Sequence, residues 1–480
     1  MPLEVKFTVT TPNLRFQEDS PAAVKLTNSG REPIKVSNPS MAPTLLRLRV
    51  VNVKGGGEKL YQRRLPPGAL PPMEQPLGPG KSHSLGMMLL DLPGEIDPGE
   101  YDISIGCRYS GDTESAESAP VRVKIRPTTA RNLGLEGTAN QVFSGVWINL
   151  AEDPQEVVRT TFDLVAGVGA RDLRFVTKAN LNSSPVVSAP PNQDACPHSW
   201  IAWIEGTEVK AVHLHDTEGP SPVRSISLPG GEARIVAPLH TDPTPENDGR
   251  PSGGLLLWLG EGEKAESQLQ ALKLTPGAMT PQARTPLPAP RPLWMGSFVR
   301  ADGRRLVLVV RASEGKASLT LLPWPGVPGA AKKLGEWKGE FMGAGTAMDS
   351  ADVLHGALLL RTGAEAHSDL ERIDFDVDAK DGFTAKEPVV IPNSSEDPVA
   401  QAIVRLSDEG VFGALFRGTS GAWSFCDGKA ATPLPEPFKS SAYPLDLCFR
   451  DATTPILIAA RKEFGFHLYR TDGSLFTRRR

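Results

Sequence analysis

Short apolar segments recur through the last two thirds of the chain at a nearly constant interval. Matching positions in seven segments, from Ile148 to Ile456, follow one another at steps of 53, 54, 51, 52, 54 and 44 residues. An apolar run of this length between turn residues predicts a buried strand, and a repeat of about fifty residues indicates one structural unit per repeat. The segments are Val146–Ile148, Ile201–Ile204, Leu255–Trp258, Leu306–Val309, Leu358–Leu360, Phe412–Phe416 and Ile456–Ile458.

Further strands can be placed around each apolar segment. A strand rich in small residues precedes it, as in Phe341–Gly345, and a third strand follows it, as in Leu370–Val377. Outer strands such as Ile226–Pro229 end in proline, which an edge strand tolerates because the missing N–H breaks no ladder bond. The pattern predicts a sheet of about four antiparallel strands in each repeat.

Over residues 131–480 this repeat resembles the β-propeller superfamily, whose blades are four-stranded sheets around an axis. Seven segments imply seven blades, and small residues in the first strand fit the crowded position next to the axis. The repeat lacks the Trp-Asp dipeptides of WD40 blades and the paired glycines of kelch blades. The resemblance is to an architecture, which does not by itself assign a function.

The first 127 residues follow a different pattern, in which apolar and polar positions alternate over short segments such as Val5–Val9, Leu46–Val50 and Val121–Ile125. This alternation predicts an immunoglobulin-like β-sandwich, in which Tyr101 would tie a corner by a bond from its hydroxyl to the backbone. In outline the segment resembles the immunoglobulin-like domain of bacterial intracellular proteinase inhibitors, and no activity is carried over from them.

The predicted fold class is therefore all-β. An N-terminal immunoglobulin-like β-sandwich over residues 1–127 is followed by a seven-bladed β-propeller over residues 131–480, with Pro127–Arg131 as the linker. The chain contains 46 Gly and 45 Pro, which suits a protein rich in turns. No segment between the strand cores shows the 3.6-residue apolar period of a helix.

Charge and composition limit the partners. A net charge of −4 gives no overall basic field for a nucleic acid, and Arg478–Arg480 is interpreted as a solvated tail. No apolar run reaches the roughly 18 residues that span a bilayer, so no membrane contact is predicted. Four scattered cysteines and an N-terminus without a secretory apolar stretch predict a cytoplasmic protein.

The strongest metal candidate is a predicted hairpin with Gly206-Thr207 at its turn. Counting back from that turn places His198 opposite His215 and Trp200 opposite His213, with Cys196 two residues farther along. Imidazole and thiolate suit zinc. The simpler interpretation is a polar sheet edge where the histidines stack on Trp200, and we predict that this edge holds no metal.

No other motif in the sequence predicts a phosphate-binding, metal-binding or catalytic site. Gly80-Lys81-Ser82 lacks the first glycine of a phosphate-binding loop, because Gln75 stands there. Asp374–Gly382 departs from a calcium loop, since Ala379 stands where that loop has a glycine. The alternating apolar residues Ile373, Phe375 and Val377 instead predict a strand with one solvent-exposed face. Catalytic, cofactor-binding and metal residues are all predicted to be none. The segment 240–253 is interpreted as a surface loop; a recognition or cleavage role stays open.

The predicted function is a non-catalytic protein-binding scaffold or regulator that binds or sequesters a partner protein through the propeller. No cofactor is predicted, and a small-molecule ligand stays open. The first alternative is a hydrolase or lyase with an active site at the propeller axis, where loops from several blades could combine without a linear motif. The second alternative is a surface carbohydrate-binding protein.

Overall fold

The computed structural model describes most of the chain. The described residues are 2–37, 46–62, 74–91, 93, 96–109, 114–128, 130–137, 142–151, 155–164, 168–179, 186–188, 198–215, 219–228, 232–239, 253–260, 267–275, 277–287, 292–302, 304–324, 331–363, 369–392, 397–451, 453–461 and 466–476. They form two compact units, the first of which ends at Thr128, while β12 and all later strands belong to the second. That each unit folds by itself stays a prediction.

The first unit contains eleven described strands in two sheets. Strands β1, β3 and β8 form one sheet, and β2, β4–β7 and β9–β11 form the other. Their bounds are β1 Leu3–Val9, β2 Asn13–Arg15, β3 Pro21–Asn28, β4 Ile34–Ser37, β5 Leu46–Asn52, β6 Glu58–Gln62, β7 Glu74–Leu77, β8 Ser82–Met88, β9 Gly99–Tyr109, β10 Glu114–Glu117 and β11 Val121–Arg126, with a 3-10 turn at Leu89–Asp91.

Alternation along these strands produces one shared core. The side chains of Leu3, Val5 and Phe7 in β1 are buried while the residues between them are exposed, and they pack with buried residues of β5 and β9 from the other sheet. The Tyr101 hydroxyl donates a 2.8 Å hydrogen bond to the Asp97 carbonyl, which confirms the predicted corner. The unit is thus two sheets around a single apolar layer, and its immunoglobulin-like class stays a prediction.

The second unit consists, in the part that the structure describes, of seven consecutive antiparallel sheets of three to five strands, numbered 1 to 7 in chain order. Sheet 1 has β12 Ala130–Gly137, β13 Val142–Asn149, β14 Glu156–Asp163 and β15 Val168–Lys178; sheet 2 has β16 Val186–Ser188, β17 His198–Glu205, β18 Glu208–His215, β19 Gly219–Pro220 and β20 Arg224–Ser227; sheet 3 has β21 Glu232–Leu239, β22 Gly253–Gly260, β23 Ser267–Thr275 and β24 Ala278–Leu287. Sheet 4 has β25 Pro292–Val299, β26 Arg305–Ser313, β27 Lys316–Trp324 and β28 Lys332–Lys338; sheet 5 has β29 Glu340–Met348, β30 Leu354–Arg361, β31 Leu370–Val377, β32 Phe383–Ala385 and β33 Val389–Ile391. Sheet 6 has β34 Val399–Leu406, β35 Phe412–Gly418, β36 Trp423–Cys426 and β37 Ala431–Pro433; sheet 7 has β38 Ala442–Asp451, β39 Thr454–Arg461 and β40 Phe466–Tyr469.

The repeat found in the sequence matches this order. Each of the seven apolar segments lies in the second strand of its sheet, and in β22 every residue is buried. A strand that is buried on both faces has no solvent-exposed side chains, so its sequence is a continuous apolar run. The pairing of first and second strands shifts register within sheets 1, 3, 4, 5, 6 and 7, which marks a β-bulge at a recurrent place.

Successive sheets pack face to face through their second and third strands. One apolar cluster joins sheets 4 and 5, another joins sheets 5 and 6, and a third joins sheets 6 and 7. The last sheet also packs on the first, because Ile456, Ile458 and Phe466 share a cluster with Trp147 and Val158. The rings of Trp147 and Phe466 meet edge to face with centroids 4.9 Å apart.

The fold is nearly all β, and its second unit is of the β-propeller type. Strand β12 is hydrogen-bonded to β13 and, within the described residues, to no strand of sheet 7, so the first and last sheets meet by side-chain packing. Among the described residues no helix has both the length and the apolar character needed to cross a bilayer.

Candidate functional site

The predicted histidine hairpin has the predicted register. His198 pairs with His215, Trp200 with His213, and the backbone turns at Gly206 with a φ of 60°. Gly tolerates this left-handed conformation because it has no Cβ. The rings of Trp200 and His213 lie 4.9 Å apart and His213 is buried, which supports the stacked sheet edge. The side chains of His198 and His215, all of Cys196 and the segment 240–252 lie outside the described residues.

The aspartates of the rejected calcium motif bind protein groups. Asp374 is paired with Arg372 at 3.0 Å, and Asp378 accepts hydrogen bonds from the amides of Lys380 and Gly382, which lowers its pKa below the usual value. Ile373, Phe375 and Val377 are buried in β31, as predicted for a strand with one solvent-exposed face. In the part of the chain described, no group of His, Cys, Asp and Glu could hold a metal ion.

His355 lies between two carboxylates near the turn between β29 and β30. Its Nδ1 is 2.7 Å from Asp376 Oδ1 and its Nε2 is 3.3 Å from Asp349 Oδ2. A general base needs a ring nitrogen within reach of a substrate proton. Both nitrogens of His355 already contact groups of this chain, so the arrangement fastens the turn to β31.

Arg300 joins sheets 4 and 5 at the same edge of the unit. Its side chain is fully buried and donates to the Asp378 carbonyl at 2.6 Å, to Asp381 Oδ1 at 3.2 Å and to the Asp352 carbonyl. Arg304, which is about half exposed, binds Asp381 Oδ2 at 2.7 Å. Arg300 therefore connects three turns, and Arg304 connects two of them.

At the opposite edge four consecutive sheets repeat one feature. The second strand of each sheet carries an arginine at or near its end, one to three residues after the apolar segment: Arg311, Arg361, Arg417 and Arg461. Each strand runs from the turn with the first strand to the turn with the third, so these positions share one edge of a propeller. We call this set the arginine edge. Sequence reasoning missed it, although an arginine closes the apolar run in four of seven repeats.

The environments of three members differ. Arg361 donates to Glu340 on its own sheet and to the Val399 carbonyl of sheet 6 at 3.4 Å. Arg417 lies over the Tyr443 ring of sheet 7, with its guanidinium carbon 5.7 Å from the ring centre. Arg311 is buried, its Nε and Nη2 atoms have no hydrogen-bond partner among the described residues, and burial lowers its pKa below the usual value.

Tyr443 supplies an exposed aromatic surface on this edge. Tyr443 is 45% exposed, and the buried Trp423 ring packs edge to face against the Tyr443 ring with centroids 5.7 Å apart. Contact with Trp423 and Arg417 restricts the ring from two sides. A planar guanidinium binds carboxylates with two parallel N–H groups, and a fixed aromatic ring adds apolar contact area. The pair of Arg417 and Tyr443 can therefore bind an acidic group beside an apolar one.

Comparisons with known proteins find only distant similarity in sequence and structure. No protein-family model matches the chain, and no curated protein does. Among solved structures, an acylaminoacyl peptidase from Pyrococcus horikoshii is 11% identical, with a TM-score of 0.42 over 73% of this chain and 52% of the peptidase. This chain thus spans about half the length of that peptidase.

Two further solved structures show likeness of the same order. A polysaccharide lyase, the PL25 ulvanlyase, is 9% identical with a TM-score of 0.42 over 74% of this chain and 96% of the lyase. BBS1N in complex with ARL6DN is 12% identical with a TM-score of 0.38 over 73% of this chain and 98% of BBS1N. Likeness at this level assigns no function.

Proposed function

We propose that this protein is a non-catalytic protein-binding module that scaffolds or sequesters a partner through the arginine edge of its propeller. The observation that carries the proposal is the contact of Arg417 with the half-exposed Tyr443. Tyr and Arg are enriched among the residues that dominate protein interfaces, because each contributes a large flat contact with little loss of rotamer freedom or with several hydrogen bonds.

The partner segment is acidic and carries an apolar side chain near its carboxylate. Arg417 and Arg461 are both partly exposed on the strands of sheets 6 and 7 that flank Tyr443. Leu293, at the start of sheet 4, is a further exposed apolar residue at this edge, with 51% of its surface accessible. A protein segment of this composition would bury Tyr443 and pair its carboxylate with a guanidinium in one step.

The proposal includes a closed seven-bladed ring, an immunoglobulin-like first unit and a cytoplasmic location. Packing of sheet 7 on sheet 1 supports closure. A rigid ring suits a binding module because the binding residues need no ordering when the partner arrives. His355 is not proposed as a catalytic base, since both of its ring nitrogens contact carboxylates of this chain.

The test begins with capture of partners from the native cell by the tagged full chain, followed by mass spectrometry and measurement of the dissociation constant. We expect Tyr443→Ala and Arg417→Ala each to raise Kd at least about tenfold, as interface anchors do. Arg304→Ala, at the opposite edge, is the matched control and should leave Kd unchanged. Equal binding by all three variants would place the partner elsewhere and contradict the proposal.

A further inference from the structure

Strand β6 is an open edge of the larger sheet in the first unit. Within the described residues its one strand partner is β5, and no strand lies on its other side. It contains no proline and no bulge, and Leu60 at its centre is 64% exposed, the largest exposed fraction among the large apolar residues described. An unpaired strand edge of this kind is a template for pairing with another strand.

The turn before β6 determines which of its backbone groups point outward. The Asn52 amide donates to the Gly57 carbonyl at 2.9 Å, so these two residues form a hydrogen-bonded pair. Hydrogen-bonded and non-hydrogen-bonded pairs alternate along antiparallel strands, which makes Lys59 the next residue that bonds to β5. The N–H and C=O groups of Glu58 and Leu60 therefore point away from β5, and they have no backbone partner among the described residues.

These outward groups favour one register between two copies of β6. When a two-fold axis passes through the centre of an antiparallel pair, Leu60 faces Leu60 of the second copy and Glu58 faces Gln62. All these residues point their backbone groups toward the interface, so each facing pair exchanges two hydrogen bonds. Lys59 then faces Tyr61. Centring the pair on Lys59 instead would place two lysines directly opposite each other, which destabilises a sheet.

The side chains on the outer face suit the same register. The Glu58 carboxylate binds Arg49 of β5 at 2.9 Å, and the Gln62 side-chain oxygen accepts a hydrogen bond from Arg47 at 3.2 Å. Leu60 stands between them on the same face, because alternate residues of a strand share a face. In a pair of strands the two Leu60 side chains cover each other, while the Glu58 carboxylate is already neutralised within its own copy. The edge is therefore complementary to itself.

We propose that β6 is a self-association surface, through which two copies of this chain pair edge to edge around Leu60 into one continuous sheet. The paired strands have five residues each and bury less than the roughly 1,200 Å² of standard interfaces, so the dimer is weak and transient, with a micromolar or higher Kd. The surface contains no residue of the arginine edge. It stands separately from the proposed partner binding.

Sedimentation velocity of the full chain at concentrations up to about 200 μM tests the pairing. We expect the average mass to rise from monomer toward dimer. Leu60→Pro removes an N–H that points away from β5, so the hairpin keeps its own hydrogen bonds while the pairing loses its central bonds. This variant should stay monomeric at the highest concentration with an unchanged circular dichroism spectrum.

Leu60→Asp keeps the test decisive if the proline variant does not fold, because it places two carboxylates directly opposite each other and should also abolish the dimer. Tyr443→Ala, on the arginine edge, should associate like the original protein. Self-association that persists in both Leu60 variants, or an original protein that stays monomeric throughout, would overturn the proposal. A monomeric chain whose captured partner binds more weakly to Leu60→Pro would assign this edge to a strand of another protein instead.

Cysteine cross-linking locates the two-fold axis. Leu60→Cys should give a covalent dimer with a short bismaleimide, because the two thiols face each other in the proposed register. Val53→Cys is the matched control, since Val53 is 39% exposed at the turn of the same hairpin and lies far from the axis. The control should cross-link no more than the original protein. Equal cross-linking of the two variants would place the contact elsewhere and contradict the proposal.

Discussion

At the scale of single residues, Arg300 and Arg311 are both buried, but their guanidinium groups have different surroundings. Arg300 donates to three backbone carbonyls and a carboxylate, whereas the Nε and Nη2 atoms of Arg311 have no hydrogen-bond partner among the described residues. The oxygen atoms that accept from Arg300 belong to residues 52 to 81 positions away in the chain, so no local pattern could reveal them. The bond from Tyr101 to Asp97 spans four residues and was predictable for that reason.

Replacing Arg300 tests the value of the paired arrangement. Arg300→Met keeps much of the apolar stem but removes the side-chain donor to the Asp352 carbonyl, while the Asp378 carbonyl keeps the Asp381 amide. We expect a loss of about 1–3 kcal/mol in the free energy of unfolding, the cost of leaving a buried polar group without its hydrogen bond. Urea unfolding followed by tryptophan fluorescence measures it.

Arg304→Met is the matched control for this change, because Arg304 contacts the same Asp381 from an exposed position. Solvent screens an exposed pair and water replaces its hydrogen bonds, so the control should shift the unfolding midpoint much less. A similar shift in both variants would mean that burial does not set the strength of this contact.

At the scale of elements, strand order and hairpin register could be read from the sequence. The strand cores were predictable because strands buried on both faces leave long apolar runs, and the β17 to β18 hairpin because its glycine turn fixes the count. The arginine edge was missed because its members stand 44 to 56 residues apart and become neighbours only in the folded unit.

Gly356 tests the cross-strand packing of sheet 5. It pairs with Phe375, and a Cβ built on Gly356 would come within 2.0 Å of the Phe375 ring. Gly356→Ala should lower the free energy of unfolding by about 1–3 kcal/mol, because the ring must move within a packed interface. Gly277→Ala is the control, since nothing lies within 4 Å of its added Cβ. Equal stability of the two variants would show that the Phe375 ring can move freely.

At the scale of the whole molecule, the two units offer separate spectroscopic signals. All eight tryptophans follow residue 128 and thus report on the second unit alone. The first unit contains Tyr61, Tyr101 and Tyr109, and far-ultraviolet circular dichroism reports on both units. A repeated sheet, and contact between the last repeat and the first, could be predicted from the sequence because a propeller must close. The residues that make this contact, such as Trp147 and Phe466, could not, since they stand more than 300 positions apart.

Removal of residues 464–480 tests the contact between the last and first sheets. The truncation deletes β40 and Phe476, which pack with Trp147 and Leu164 of sheet 1. Apolar burial stabilises by roughly 25 cal/mol per Å², so exposing this interface should lower the tryptophan-detected Tm of the second unit.

Phe466→Ala should act in the same direction, by about 3–5 kcal/mol. Leu475→Ala is the control within the same segment, because Leu475 is 46% exposed and should shift the transition little. If the first unit folds by itself, its part of the circular dichroism transition stays in place in all three variants. An unchanged tryptophan transition in the truncated chain would mean that sheet 7 does not close the ring, and that a count of seven blades is wrong.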